Sequence, residues 1–508
     1  MDFNVEKQQL CSCRIVREAK AEQGVDCDMT LPDYCPDIKS ILRCSVEPGI
    51  NSVSVTGNRI TAEGNAVIRL VYVSTADKIS CFEQNYPLSK YVEMNSLSPE
   101  SQVVATAKTS YVNCRAVSPR RVDVHGCISV LFSLLSCEKA DYVSGILGEG
   151  MQLKLQPLNC CSCVGCTSKL FEMSEVIPIK AGTSSVKSVM HAEGYPMISE
   201  LKAVNNKILL KGELVLNIEL CCEDGSAERV EHSMPISRII ELDGVDEACI
   251  CDVKTDVSSV DIRLKPDENG EMKDMDAAVC VKIVACGYKK MNDAYVQDAY
   301  SLKNELDISS VPINAQRFTD MLDEKFLVTF QADLSGAEAG EIVDSWCDNV
   351  TCVSSECDDG IELSGTITLS ILYLDTDDKP MLAQRQNDYH FVKPYTVSNG
   401  KLMCDAVVSA CGVSVSGKGA SVGARVQLQA KGCVFESCQA MLIADVRLNE
   451  NSEKSGCASS VTVYFSDVGE KIWDIAKKYN TSEEAIRRQN SIKGDTLEKE
   501  TMLIIPQI

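Results

Sequence analysis

Long hydrophobic runs are missing from this chain. Nowhere in its 508 residues do 18 apolar residues follow one another, so no segment is suited to cross a bilayer as a helix. The opening Met1-Asp-Phe-Asn-Val-Glu-Lys-Gln-Gln-Leu10 has neither the basic leader nor the apolar stretch of a signal peptide, which predicts a protein made and kept in the cytosol. Histidine is scarce. His125, His191, His232 and His390 form no H-E-x-x-H pair, and with no G-x-S-x-G elbow the sequence shows no hydrolase nucleophile or base, which predicts a protein that is not an enzyme. Basic residues are also in deficit, 50 against 73 acidic, and the resulting net charge of -23 repels polyphosphates, which argues against nucleic acid as a partner.

What is present is ordinary globular composition, 45% hydrophobic and 24% charged, over a length that suits three or four domains. The 27 cysteines stand out. An odd count without a secretory leader argues against a closed disulfide framework, and strand-like positions such as Cys127, Cys280 and Cys433 read as small apolar core residues.

Three segments of the chain repeat one another. Gly64-Asn-Ala-Val-Ile-Arg-Leu-Val-Tyr72, Gly212-Glu-Leu-Val-Leu-Asn-Ile-Glu-Leu220 and Gly365-Thr-Ile-Thr-Leu-Ser-Ile-Leu-Tyr373 share one frame, at offsets of 148 (64 to 212) and 153 (212 to 365). Alternation puts Ala66, Ile68, Leu70 and Tyr72 on one face, with their counterparts in the other copies, and predicts half-buried strands that each lead into a polar hairpin turn. Pro87 to Met94 matches Pro235 to Leu242, and Asp37 to Leu42 matches Ser185 to Met190, both at the first offset; Glu341 to Trp346 is a looser third front. These matches predict three tandem two-layer β repeats over 28–140, 175–292 and 325–446, joined by connectors such as Leu158 to Lys169 and Asn449 to Ser460.

Residues 458–508 break the pattern. Val461-Thr-Val-Tyr-Phe465 reads as a strand; Ile472, Ile475, Ala476 and Tyr479 form one helical stripe; Thr481-Ser-Glu-Glu484 has capping-box spacing ahead of a second helix; Met502-Leu-Ile-Ile505 supplies a closing strand. This βααβ segment resembles the LysM family, whose run G-D-T-L-W-x-I-A-x-x-Y stands as Gly469-Glu-Lys-Ile-Trp-Asp-Ile-Ala-Lys-Lys-Tyr479 and whose L-x-I-P ending is Leu503-Ile-Ile-Pro506. The resemblance implies a shallow groove between two loops. The first holds Asp467, Gly469, Glu470, Lys471, Ile472 and Trp473, the second Asn490, Ser491, Ile492 and Lys493. In the family such a groove typically holds N-acetylglucosamine-containing glycan, as in peptidoglycan. Here Glu470-Lys471 replaces the usual Asp-Thr, and Glu500-Thr501 the usual Gly-Gln, so the polar groups that fix sugar hydroxyls are altered. A protein partner is therefore expected ahead of glycan. Trp473, off the helical stripe between Ile472 and Asp474, is expected to be half exposed and to anchor that partner.

The whole chain, with Cys35-Pro-Asp-Ile38 ahead of the first repeat strand and a terminal LysM, resembles the SipL-like sporulation proteins, whose repeat is the SPOCS domain. That resemblance implies a spore-forming bacterium, the mother-cell cytosol at the forespore surface, and a role in building the spore coat by binding stage IV sporulation protein A, a coat ATPase.

Other motifs carry less. Gly412-Val-Ser-Val-Ser-Gly-Lys418 has P-loop spacing, but Gly419 stands where a magnesium-binding hydroxyl belongs and strand alternation follows instead of a helix, so no nucleotide cofactor is expected. Cys160-Cys-Ser-Cys-Val-Gly-Cys166 lacks a second thiol pair nearby and reads as a small-residue linker, with no metal assigned. Asp375, Asp377 and Asp378 miss calcium-loop spacing and read as a hairpin turn.

Overall fold

The computed structural model describes residues 3–95, 97, 101–179, 185–266, 272–334, 336–396, 400–453 and 461–506. It is built almost wholly of strands. Three antiparallel meanders recur: Ile38–Thr56, Arg59–Ser74 and Ile79–Glu93; Val186–Val204, Lys207–Cys222 and Ala227–Glu241; and Ala339–Val350 with Val353–Cys357, Gly360–Asp375 and Pro380–Pro394. Their first strands begin at Ile38, Val186 and Ala339, which repeats the offsets of 148 and 153 read from the glycines. The hairpin turns repeat them too, with a left-handed residue at Asp77, Gly225 and Asp378. Asp375 accepts the amides of Asp377 and Lys379, so its carboxylate shapes the third turn.

The glycine of the shared frame has a steric reason. Gly64 lies across from Ile50 where the neighbouring strand bulges, Gly212 lies across from Ile198 at a similar shift, and Gly365 faces the break between Val350 and Val353. A Cβ at any of the three would fall inside contact distance of a main-chain carbonyl, that of Gly49, Met197 or Thr351. Only glycine lets the bulged strand approach so closely. The equivalent tyrosines are also used alike: Tyr72 donates its hydroxyl to the Pro36 carbonyl at 3.1 Å and Tyr373 to that of Ala337 at 3.2 Å.

Each meander is covered by a second sheet made of a long strand before it and a hairpin after it. In strand order these are Asn4–Thr30, Arg121–Leu147 and Gln102–Ser118; Cys160–Pro178, Met272–Met291 and Ile250–Pro266; and Asn304–Asp333, Ser421–Glu453 and Val407–Ser416, where Lys401–Cys404 also pairs with Ser421–Glu453 and the last two sets join into one seven-stranded sheet where Cys161 pairs with Gln316. Each pair of sheets closes on its own apolar core. The leading strands fall largely outside the repeat limits expected from sequence. Asn4–Thr30 shows why, since it fully buries only Leu10, Val25 and Met29 among its apolar side chains and so has no alternating signal to read. Residues 160–169 correct the linker expectation outright: they belong to a strand, and Cys160, Cys161, Cys163 and Cys166 are all buried. Of the other expected connector, 449–453 continues the strand Ser421–Glu453 and 454–460 lies outside the described residues.

The central strands are more buried than half. Ala66, Ile68, Leu70 and Tyr72 and their counterparts face the unit cores, while Val71, Cys221 and Leu372 on the opposite face meet Cys81, Met190 and Trp346 where the three meanders converge. Ion pairs tie every pair of units at this junction. Arg43 of the first unit holds Asp348 of the third at 2.6 Å, Arg229 of the second holds Asp344 of the third at 2.9 Å, and His191 of the second lies 3.8 Å from Glu47 of the first while stacking on Trp346 of the third. The units form a closed triangle rather than a row. At the far end Lys7 of the first unit also reaches Asp445 of the third at 2.7 Å.

Candidate functional site: the C-terminal module and its dock

In the C-terminal module, Val461–Ser466 pairs antiparallel with Thr501–Pro506, and two helices, α1 (Ile472–Lys478) and α2 (Glu483–Asn490), pack on one face of that ribbon. Ile472, Ile475, Ala476, Ile486, Leu503 and Ile505 make its core. The cap of α2 is Ser482, whose hydroxyl accepts the Ala485 amide at 3.1 Å. Thr481, the residue expected there from the capping-box spacing, is buried and donates to the Pro506 carbonyl instead.

The ten residues expected to line the groove divide sharply. Asp467, Gly469, Lys471, Ser491 and Lys493 are exposed. Glu470 is occupied within its own loop, accepting Tyr464 Oη–H at 2.8 Å and the Asp467 amide at 3.1 Å; that hydrogen bond, with burial behind it, pushes the Tyr464 phenol up to about 12 and keeps it a donor at neutral pH. Asn490 ties α2 to the last strand, donating to the Ile486 and Ile504 carbonyls and accepting the Ile504 amide at 2.7 Å. Ile472 is core and Ile492 packs against it. The first loop is laced to the segment after the second, Gly469 N–H to Leu497 O at 2.8 Å and Leu497 N–H to Glu470 O at 2.9 Å.

Trp473 corrects the expectation most directly. It is 5% exposed, and its indole N–H donates to Asp298 Oδ2 at 2.8 Å. Asp298 sits on the strand Ala294–Ser301, which pairs with Met151–Pro157 far from the module in sequence. Tyr300 of the same strand sets its ring edge-on to Trp473 at 5.0 Å and donates its hydroxyl to Thr481 O at 2.6 Å. Asn480 Nδ2 donates to Leu302 O at 2.6 Å, and Lys477 Nζ reaches both oxygens of Asp298 at 2.7 and 2.8 Å. Burial opposes the charge on Asp298, yet the hydrogen bonds from Lys477 and Trp473 outweigh it and hold the carboxyl below its ordinary range. The module is thus docked on the repeat body through its tryptophan. A helical stripe drawn on α1 alone has no access to a partner strand 175 residues earlier.

The opposite face of the ribbon is exposed and apolar among the described residues. Val463, Phe465 and Met502 point outward, Phe465 at 75% exposure and directly paired with Met502, and Val468 in the following turn extends the patch. Strand alternation in Val461 to Phe465 was the available signal for it, since Val463 and Phe465 lie on the face away from the helices.

The SipL SPOCS-domain family model matches residues 37–117 and 185–265, and the LysM-domain model matches residues 468–506. The chain has the SipL-like architecture. Each SPOCS match spans one meander and the first strand of the following hairpin, and the third unit carries the same meander and hairpin in the structure. The LysM match covers both helices and the last strand and begins just after the strand that carries Val463 and Phe465. SPOCS and LysM domains are structural and binding families, which makes this a sporulation-related protein with a LysM binding module. No curated protein and no solved structure matches the chain. No described helix is long and apolar enough to cross a membrane. The P-loop-like Gly412 to Lys418 lies on a strand and its hairpin turn, and Gly419 exchanges main-chain hydrogen bonds with Ala339, so the helix N-terminus that phosphate requires is not there.

Proposed function

We propose that the chain is a non-enzymatic assembly factor of the spore envelope, in which the triangle of β units is a rigid body and the docked LysM module presents a face to a coat morphogenetic protein of the stage IV sporulation protein A type, at the forespore surface in the mother-cell cytosol. The observation that carries this reading is the exposed apolar patch of Val463, Phe465, Val468 and Met502, bordered by the charged loop residues Asp467 and Lys471. Exposed apolar clusters with a polar rim suit protein contacts, whereas a sugar site needs placed polar groups, and Glu470 and Asn490 already spend theirs inside the module. Lys471, Ser491 and Lys493 are proposed as the rim of the same surface.

The LysM assignment itself supports peptidoglycan glycan as the second reading. Titration of the full chain with the coat protein and, separately, with N-acetylglucosamine oligomers tests the two. The proposal expects protein binding that weakens at least tenfold in Phe465→Glu, since burying a Phe side chain is worth about 2 kcal/mol. Tight glycan binding indifferent to Phe465→Glu, without protein binding, would reverse it.

A further inference from the structure

In the sequence the cysteines read as core filling, yet the fold gathers five of them in one place. Cys13 and Cys137 are directly opposed on neighbouring strands of the first unit, and Cys166 and Cys286 are directly opposed in the second. Cys163 lies between the two pairs. Three residues apart on a regular strand, Cys163 and Cys166 would face opposite ways; here the ladder skips Val164, Gly165 pairing with Gly287 and Cys163 with Tyr288, and the bulge turns both thiols to one side. The second thiol pair that a C-x-x-C needs comes from strands far off in sequence.

Three of the sulfurs are spaced as ligands of one ion, and Cys166 and Cys286 each approach one of the three. Four sulfurs at about 2.3 Å from a tetrahedral zinc stand about 3.8 Å apart. Cys137 Sγ is 3.8 Å from Cys163 Sγ and 3.8 Å from Cys166 Sγ, Cys13 Sγ is 3.9 Å from Cys286 Sγ, and the sulfurs of Cys13, Cys137 and Cys163 all lie within 4.8 Å of one another. A disulfide needs about 2.05 Å, and all five of these cysteines are free. A cavity of about 810 Å³, lined by Cys13, Cys286, Asp252 and Lys254 among others, reaches the cluster from one side, which gives an ion access and sets a lysine near the sulfurs.

We propose that Cys13, Cys137 and Cys163 form a structural site for a soft divalent ion of the zinc class, with Cys166 or Cys286 moving in as the fourth ligand. The thiols bind as thiolates and release their protons to solvent, with no change of oxidation state. The ion would join the first unit to the second across the packed sheets.

The test uses the full-length chain, purified under reducing conditions and stripped of metal, then titrated with cobalt(II) and with zinc(II). The proposal expects about one ion per chain, the visible bands of tetrahedral cobalt with sulfur-to-metal charge transfer, and displacement of cobalt by zinc. Cys137→Ser should weaken binding by more than the roughly 10- to 100-fold typical of an outer-shell change, with Cys357→Ala unchanged. If Cys137→Ser does not fold, the unaltered chain still decides. Free thiols with no cobalt charge transfer overturn the proposal.

Discussion

Replacing Asp298 by alanine separates a docked LysM module from a tethered one. In the folded chain Asp298 accepts the buried Trp473 indole N–H and pairs with Lys477. Its removal leaves a donor in an apolar setting without a partner, which costs about 1–3 kcal/mol, while the Lys477 pair, with the lysine side chain 44% exposed, adds about 0.2–1 kcal/mol. The Tyr300–Thr481 and Asn480–Leu302 hydrogen bonds remain. A loss of about 2 kcal/mol lowers the ratio of docked to undocked module roughly thirtyfold. The chain has two tryptophans, and Trp346 is buried in the meander junction, so a red shift of fluorescence in Asp298→Ala reports Trp473. Limited proteolysis ahead of Val461 gives a second reading. Unchanged emission together with unchanged cleavage would show that Asp298 does not hold the module, and the dock would then have to rest on the other two hydrogen bonds and on apolar contact.

Three further outcomes follow from the same geometry. Trp473→Ala should cost about 3–5 kcal/mol in module stability by denaturant melt, against less than about 0.5 kcal/mol for Lys471→Ala, because one side chain is core and the other exposed. Gly365→Ala should destabilise the third unit by about 1–3 kcal/mol in urea unfolding, since its methyl meets the Thr351 carbonyl; equal stability would mean the neighbouring strand yields freely. Burial works against a charged His191, but its contacts with Glu193 and Glu47 win and raise it to about 9 from 6.5. A raised folded-state pKa gives stability that is complete below about 6.5 and lost as pH climbs through about 9, up to about 3 kcal/mol, so unfolding midpoints should fall over that window and His191→Gln should flatten the fall.

Much of the fold was legible because meander strands alternate cleanly around Gly64, Gly212 and Gly365, and the apolar residues of the LysM stripe lie where a 3.6-residue period puts them. The long leading strands were not, since Asn4–Thr30 and Asn304–Asp333 leave most of their side chains exposed and so resemble connectors. The groove was read from loops, and loop position says little about where a side chain ends: Glu470 and Asn490 turn inward, and Trp473 meets a strand that no local pattern links to it. The cysteines illustrate the same limit, because Cys13 and Cys163 become neighbours only through sheet packing.

The closure of the three units has a consequence for how the chain can be cut. In a linear array each end unit touches one neighbour, so shortening the chain exposes one new surface and the remainder keeps its fold. Here the first unit also holds the third, through Arg43 and Asp348 at one end and Lys7 and Asp445 at the other. Deleting any single unit strips two faces at once and opens the shared cluster around Trp346, to which every unit contributes. The units are alike in design but not interchangeable in number: two of them make an open wedge, and three are the smallest set with no unfilled side.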